Sequence, residues 1–165
     1  MTRRLTLALV ALLLLSASAN AQSIILVRHA ERADTAAGAA PTMAADPDLS
    51  AVGAERARRL AMMLKDAGIT AVHVTEFKRT QQTAAPLAAA IGVTPTVSPA
   101  ADSDALVATL RAAKGNVLVV GHSNTVPEIV VALGITPAFT IGDAEYDNLL
   151  VVSLSPTPQL LRLRY

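Results

Sequence analysis

Short aliphatic runs alternate with stretches of helical periodicity along this chain. The runs contain mainly Val, Ile and Leu over four to six residues, which is typical of buried strands. They predict strands at 23–27, 71–75, 94–97, 116–121, 149–154 and 160–163. Between them, apolar residues recur every three or four positions and predict helices at 51–67, 78–90, 103–115 and 124–133.

This alternation predicts an α/β fold. We expect a three-layer αβα sandwich with a mostly parallel central sheet, helices on both faces and an antiparallel hairpin at the C-terminal end. Ser50 is the expected N-cap of the first helix and Gly68 its end. Pro86 predicts a kink or a restart in the second helix. The charged side chains of the first helix are expected to form a solvated face and nothing more: Glu55, Arg56, Arg58, Arg59 and Lys65.

The first residues have the pattern of a signal peptide. Arg3 and Arg4 precede an apolar stretch at 5–15 that is too short to span a bilayer comfortably. The following Ala19-Asn20-Ala21 matches the A-x-A cleavage rule, so residues 1–21 are expected to be removed and 22–165 to form one domain. A periplasmic or secreted protein follows from this. The alternative is an anchor helix that is retained.

Composition limits the partners of the domain. Without Arg3 and Arg4 the chain keeps 12 basic and 13 acidic side chains, a net charge of about −1. This balance argues against a nucleic-acid or anionic-membrane surface. The chain has no cysteine, which excludes disulfides and thiolate metal sites. Aromatic residues are only 2% of the chain, so the expected core is aliphatic and rich in alanine.

Three predicted strands end in residues that suit phosphate chemistry. Arg28 and His29 follow the first strand, Arg79 lies just past the second, and His122 follows the strand at 116–121. In parallel sheets ligands bind outside the carboxyl ends of the strands, so these side chains should share one pocket. Arginine matches the geometry of a phosphate, and histidine is a nitrogen nucleophile that titrates near neutral pH. The sequence therefore predicts a phosphate-handling site.

This ordered set resembles the histidine phosphatase superfamily, which includes phosphoglycerate mutases, acid phosphatases and small phosphohistidine phosphatases. The resemblance rests on Leu26-Val27-Arg28-His29-Ala30-Glu31, on Arg79, on Gly121-His122 and on the loop-to-helix element at 48–53. The family usually has glycine at the position of Ala30. Because no long insertion separates Arg79 from His122, the chain is most similar to the compact phosphohistidine phosphatase branch.

The resemblance implies a metal-independent phosphoric ester hydrolase of the histidine acid phosphatase type, with no cofactor. It implies that His29 attacks phosphorus and carries the phosphoryl group, and that Arg28, Arg79 and His122 bind the phosphoryl oxygens. Ser123 is a further candidate for substrate binding. The expected substrate is a phosphorylated small molecule or envelope component, and no stable membrane insertion is expected after cleavage.

Several roles stay open at this point. A general acid for the leaving group is not evident, and Glu76 is the weak favourite among five candidates that also include Glu31, Glu128, Glu145 and Asp147. His73 lies inside a strand and is expected to be structural, whereas Arg32 is equally compatible with a substrate contact and with a surface charge. The loop at 34–48 is a candidate lid. The alternative function is a catalytically weak module that binds a phosphorylated ligand.

Overall fold

The computed structural model describes residues 22–35 and 46–165. Its strands are β1 (Ser23–Arg28), β2 (Ile69–Thr75), β3 (Thr96–Ser98), β4 (Asn116–Gly121), β5 (Asn148–Ser153) and β6 (Gln159–Arg164). Its helices are α1 (Ala51–Leu64), α2 (Lys78–Ile91), α3 (Ser103–Ala112) and α4 (Thr125–Ala132), and a 3-10 turn covers Ala33–Thr35. The predicted signal peptide and the centre of the predicted loop, 36–45, lie outside the described residues.

The six strands form one mixed sheet in the order β3-β2-β4-β1-β5-β6. Strands β1, β4, β2 and β3 pair in parallel, whereas β5 pairs antiparallel to β1 and β6 antiparallel to β5. Arg28 lies beside Gly121 in the β1–β4 register, so the carboxyl ends of these strands are level. The predicted fold class, including the C-terminal hairpin, is confirmed.

Helices cover both faces of the sheet because alternate strand residues point to opposite sides. On one face Ile25 and Val27 of β1 pack with Leu60 and Leu87 of α1 and α2. On the other face Ile24 and Leu26 pack with residues of α3 and α4, including Leu110 and Ile129. Both cores are aliphatic, as the composition predicts, and they leave the carboxyl edge of the sheet as the place for polar side chains.

The predicted N-cap of α1 is confirmed, whereas the helix ends at Leu64 and not directly before Gly68. Ser50 Oγ accepts a hydrogen bond from Gly53 N at 3.0 Å and begins α1. Gly68 has a φ of +63°, the left-handed conformation that lets the chain turn from α1 into β2. The predicted restart at Pro86 does not occur, since α2 continues to Ile91. Leu87, next to the proline, is completely buried, and this packing holds the segment helical.

Arg56 corrects the expectation of a purely solvated face on α1. Its guanidinium binds the Glu31 carboxylate, with Nη2 2.6 Å from Oε1, and Nη1 donates to Tyr165 O at 2.9 Å. The Arg56 side chain is only 15% exposed. The sequence pattern missed this because Glu31 and the C-terminal residue meet α1 only in the folded chain. The ion pairs of Arg58 with Glu55 and of Lys65 with Asp66 are exposed as expected.

Within 22–35 and 46–165, no helix has the length and apolar character that a membrane span requires. The same part of the chain contains no cluster of three or more His, Cys, Asp or Glu residues that could hold a metal ion.

Candidate active site

The three predicted strand ends meet at one edge of the sheet. Arg28 is the last residue of β1, and His29 follows it with its backbone N donating to Gly121 O at 2.9 Å. His122 follows β4, so its ring lies beside His29, with 5.4 Å between the ring centroids. Arg79, in the first turn of α2, contacts His122. The four side chains therefore form one site, and each histidine is at least nine-tenths buried.

His29 is held as a neutral imidazole. Its Nδ1 lies 2.8 Å from the carbonyl oxygen of Ala30, so Nδ1 carries the proton and donates. Burial lowers the pKa of His29 to about 3, and the positive charges of His122, Arg79 and Arg28 act in the same direction, against the Ala30 hydrogen bond. The other ring nitrogen, Nε2, thus keeps a free lone pair at neutral pH, which is what a nucleophile needs.

His122 is tied to its neighbours through both ring nitrogens. Arg79 Nη2 lies 3.4 Å from Nδ1, and because arginine can only donate, Nδ1 is the acceptor. Nε2 then carries the proton and donates to Thr75 Oγ1 at 3.1 Å. Burial lowers the pKa of His122 to about 4, helped by the charge of Arg79 and opposed by that of Glu76. An entering phosphate dianion would raise this pKa and favour a doubly protonated ring.

The two arginines are each stacked on an aromatic ring. The Arg28 guanidinium carbon lies 4.1 Å from the centroid of Tyr146, and that of Arg79 lies 4.2 Å from the centroid of Phe77. The Nε atoms of both arginines are buried and find no hydrogen-bond partner within the described part of the chain. Burial also lowers the pKa of Arg79. Two guanidinium groups that each keep an unpaired N–H donor are suited to bind the oxygens of a phosphate.

Comparison with known proteins agrees with this geometry. A sequence profile of the histidine phosphatase superfamily, branch 1, matches residues 24–102, a range that includes Arg28, His29 and Arg79. Over this range the chain is similar to the histidine phosphatase superfamily. His122 lies beyond the matched range, and the sheet brings it to the same site as the matched His29.

Solved structures of two phosphatases and of a hydrolase share the fold of this chain. The protein histidine phosphatase SixA in complex with tungstate is 23% identical, with a TM-score of 0.67 over 87% of this chain and 97% of that one. A mycobacterial glucosyl-3-phosphoglycerate phosphatase with inorganic phosphate is 16% identical, with a TM-score of 0.65 over 88% of this chain and 97% of that one. A protein described as mycobacterial hydrolase 1 is 17% identical, with a TM-score of 0.68 over 88% and 99%.

A curated relative matches over a shorter stretch. The PE-PGRS family protein PE_PGRS11 of Mycobacterium tuberculosis (strain ATCC 25618 / H37Rv) is 40% identical over 83 residues, which is 48% of this chain. The match spans only 14% of that protein's length.

Ala30 replaces the usual superfamily glycine without strain. Its methyl group is completely buried, and within the described ranges no residue other than glycine has a positive φ. The Ala30 N–H donates to Thr83 Oγ1 at 2.9 Å, and that hydroxyl donates to Arg79 O at 2.7 Å. Thr83 therefore joins the turn after the nucleophile to the helix that carries the second arginine.

Most carboxylates considered as general acids are engaged elsewhere. Glu31 binds Arg56, while Glu145 accepts from Gly142 N at 2.8 Å and pairs with Arg164, which also binds Asp147. Glu76 is exposed beside the site, and its Oε2 accepts from Ala100 N at 2.8 Å. The predicted role of Glu76 as acid stays a prediction.

The remaining predicted residues have definite positions. Ser123 is half-buried between His122 and α4, and its predicted contact with substrate stays a prediction. His73 is buried within β2, away from the site, and burial lowers its pKa. Arg32 Nε lies 2.9 Å from Asp34 Oδ1, and its charge is near enough to lower the pKa of Arg79.

Sequence reasoning missed four residues that shape the site. The sequence pattern could have indicated two of them. Thr75 ends a predicted strand, and Thr83 lies one helical turn after Arg79 on the same face. Phe77 had a weaker signal, its position two residues before Arg79. Tyr146 had none, because only the folded loop before β5 brings it to Arg28.

Proposed function

We propose that this protein is an exported, metal-independent phosphatase that hydrolyses a phosphomonoester through a phosphohistidine intermediate on His29. The match of residues 24–102 to the histidine phosphatase superfamily supports phosphatase activity in general. The observation that carries the specific mechanism is the state of His29, which is buried, neutral and hydrogen-bonded through Nδ1 to Ala30 O. This leaves Nε2 as the nucleophilic atom, beside two arginines that can bind the phosphoryl oxygens.

The reaction proceeds by two displacements at phosphorus. In the first, His29 Nε2 forms a bond to phosphorus while the bond to the leaving oxygen breaks, and that oxygen departs with the bonding electrons. In the second, water attacks phosphorus, the Nε2–P bond breaks and orthophosphate is released. Arg28 and Arg79 neutralise the charge on the equatorial oxygens, since phosphoryl transfer depends chiefly on positioning and electrostatic stabilisation.

His122 assists after phosphate has entered. With the substrate dianion beside it, the raised pKa of His122 favours protonation, and the ring then donates to a phosphoryl oxygen. Thr75 keeps the ring oriented through Nε2. Ser123, the residue after His122, would add a further donor.

The leaving group receives its proton from Glu76 or from water. Glu76 is exposed near the site, and its negative charge acts on His122. Because Glu31, Glu145 and Asp147 are paired with arginines, good leaving groups should react faster than alkoxides.

Export and partners follow from the sequence. The signal-like segment at 1–21 supports a periplasmic or secreted protein, and mass spectrometry of the mature protein should find Gln22 at its N-terminus. The proposed substrate is a phosphorylated small molecule or envelope component. The SixA and glucosyl-3-phosphoglycerate phosphatase structures hold tungstate and phosphate, which supports a site for tetrahedral oxyanions in this fold.

A binding module for phosphorylated ligands is the second candidate function. This function is favoured because three of the carboxylates considered as general acids are paired with arginines: Glu31, Glu145 and Asp147. Such a module would bind phosphate saturably without turnover.

One assay separates the two functions. Hydrolysis of p-nitrophenyl phosphate is measured with EDTA present for wild type, His29→Ala and the matched control His73→Gln, a buried histidine outside the site. Turnover that survives EDTA, is inhibited competitively by vanadate and disappears only in His29→Ala establishes the phosphatase. Activity in His29→Ala equal to that of wild type contradicts the mechanism, and absence of turnover in folded wild type favours the binding module.

A further inference from the structure

Two of the four phenylalanine and tyrosine residues of this chain lie at the active site, and tryptophan is absent. Tyr146 stacks on Arg28 at 4.1 Å, and Phe77 stacks on Arg79 at 4.2 Å. The other two rings, Tyr165 and Phe139, lie 5.7 and 5.3 Å from the guanidinium carbons of Arg56 and Arg162, so the two rings at the site make the closer contacts.

The rings also border the two histidines. The Tyr146 centroid lies 6.1 Å from that of His29, and the Phe77 centroid lies 5.4 Å from that of His122, edge to face. Phe77 follows β2 and Tyr146 precedes β5, so the rings lie on opposite sides of the β4–β1 pair that carries the histidines. Phe77 and Tyr146 are both half-buried residues.

Tyr146 is held firmly in this position. Arg28 Nη1 donates to three carbonyl oxygens of the preceding loop, those of Gly142 and Asp143 at 2.9 Å and that of Glu145 at 3.3 Å. The Glu145 carboxylate accepts from Gly142 N at 2.8 Å and closes the loop on itself. A ring fixed in this way can bind a partner with little further loss of conformational entropy.

We propose that Tyr146, together with Phe77, binds a flat, ring-bearing leaving group and makes the enzyme selective for aryl phosphates. This inference rests on the proposed phosphatase function. With the phosphate on Arg28 and Arg79, the leaving group extends outward past rings that already cover those arginines, and a planar group can stack there. An aryl leaving group also departs without a strong general acid, which agrees with the engaged carboxylates.

The test compares phenyl phosphate with ethyl phosphate. Replacing Tyr146 by Leu should lower kcat/KM for phenyl phosphate about fivefold more than for ethyl phosphate, the size of one aromatic contact, mainly through KM. Tyr146→Phe should restore the preference, because the ring and not the hydroxyl makes the contact. Phe139→Leu is the matched control, since it removes an aromatic ring from Arg162 at a place outside the site.

Each outcome decides the inference. A Tyr146→Leu variant that loses the same factor on both substrates, with weaker inhibition by inorganic phosphate, shows that the ring only positions Arg28 and overturns the inference. Absence of turnover by wild type on either ester refutes the proposed function instead. In that case, calorimetry still measures whether the protein binds phenyl phosphate more tightly than ethyl phosphate. A preference for the phenyl ester that is lost in Tyr146→Leu supports the inference, and equal binding of the two esters overturns it.

Discussion

The two histidines of the site make the stability of this protein depend on mildly acidic pH. Both are buried and neutral, and burial lowers the pKa of His29 to about 3 and that of His122 to about 4, from an ordinary 6.5. The unfolded chain therefore binds protons that the folded chain does not, and the free energy of unfolding falls as the pH falls through the interval between the folded and unfolded values. Above the unfolded value this loss is absent.

The magnitude follows from these pKa values. Between about pH 7.5 and about pH 5, each histidine costs about 2 kcal/mol of unfolding free energy. The loss for the pair is about 4 kcal/mol, a large part of the total stability of about 5–15 kcal/mol that is usual for a domain. The carboxylates with lowered pKa, Glu31 above all, lose their contribution only at lower pH, so this interval isolates the histidines.

Urea unfolding followed by circular dichroism at the two pH values measures this effect. His29→Gln and His122→Gln should each remove about 2 kcal/mol of the pH dependence, because glutamine does not titrate. His73→Gln is the control for a buried histidine outside the site, whose pKa is also lowered and whose contribution must be subtracted. Equal stability of wild type at both pH values, or an undiminished loss in the two site variants, would refute the reasoning.

Three further tests, with five substitutions, concern the packing around the nucleophile. Thr83→Val leaves the buried Ala30 N–H without its acceptor and should cost about 1–3 kcal/mol in urea unfolding, whereas Thr83→Ser should cost less. Glu31→Gln and Arg56→Met should be non-additive by about 1 kcal/mol or more in a double-mutant cycle, and additive losses would show that their ion pair contributes nothing. Gly53→Ala would place a Cβ against the backbone oxygen of Glu31 and should lower the melting temperature and cost about 1–3 kcal/mol, while an unchanged melting temperature would contradict the close approach of α1.

Much of the fold could be predicted from local pattern. Strand β4 has the predicted bounds, and β1 and the hairpin differ by one residue at their ends, because aliphatic runs of this length bury well only as strands. The arrival of Arg28, His29 and His122 at one edge also followed from sequence, since parallel strands present their carboxyl ends together. Boundaries of helices were less certain: α1 ends at Leu64, before the expected position.

The sequence by itself determined the class of fold, the order of the strand-end residues and the types of side chain available for phosphate chemistry. Only the tertiary structure decided which side chains contact each other, such as Arg56 with Glu31 and Tyr146 with Arg28. It also decided that His29 is buried, which lowers its pKa. The physical reason is the distance along the chain over which each kind of interaction acts. Strand and helix patterns arise from neighbours along the chain, whereas ion pairing, stacking and desolvation depend on distances between segments that come together only when the sheet has formed.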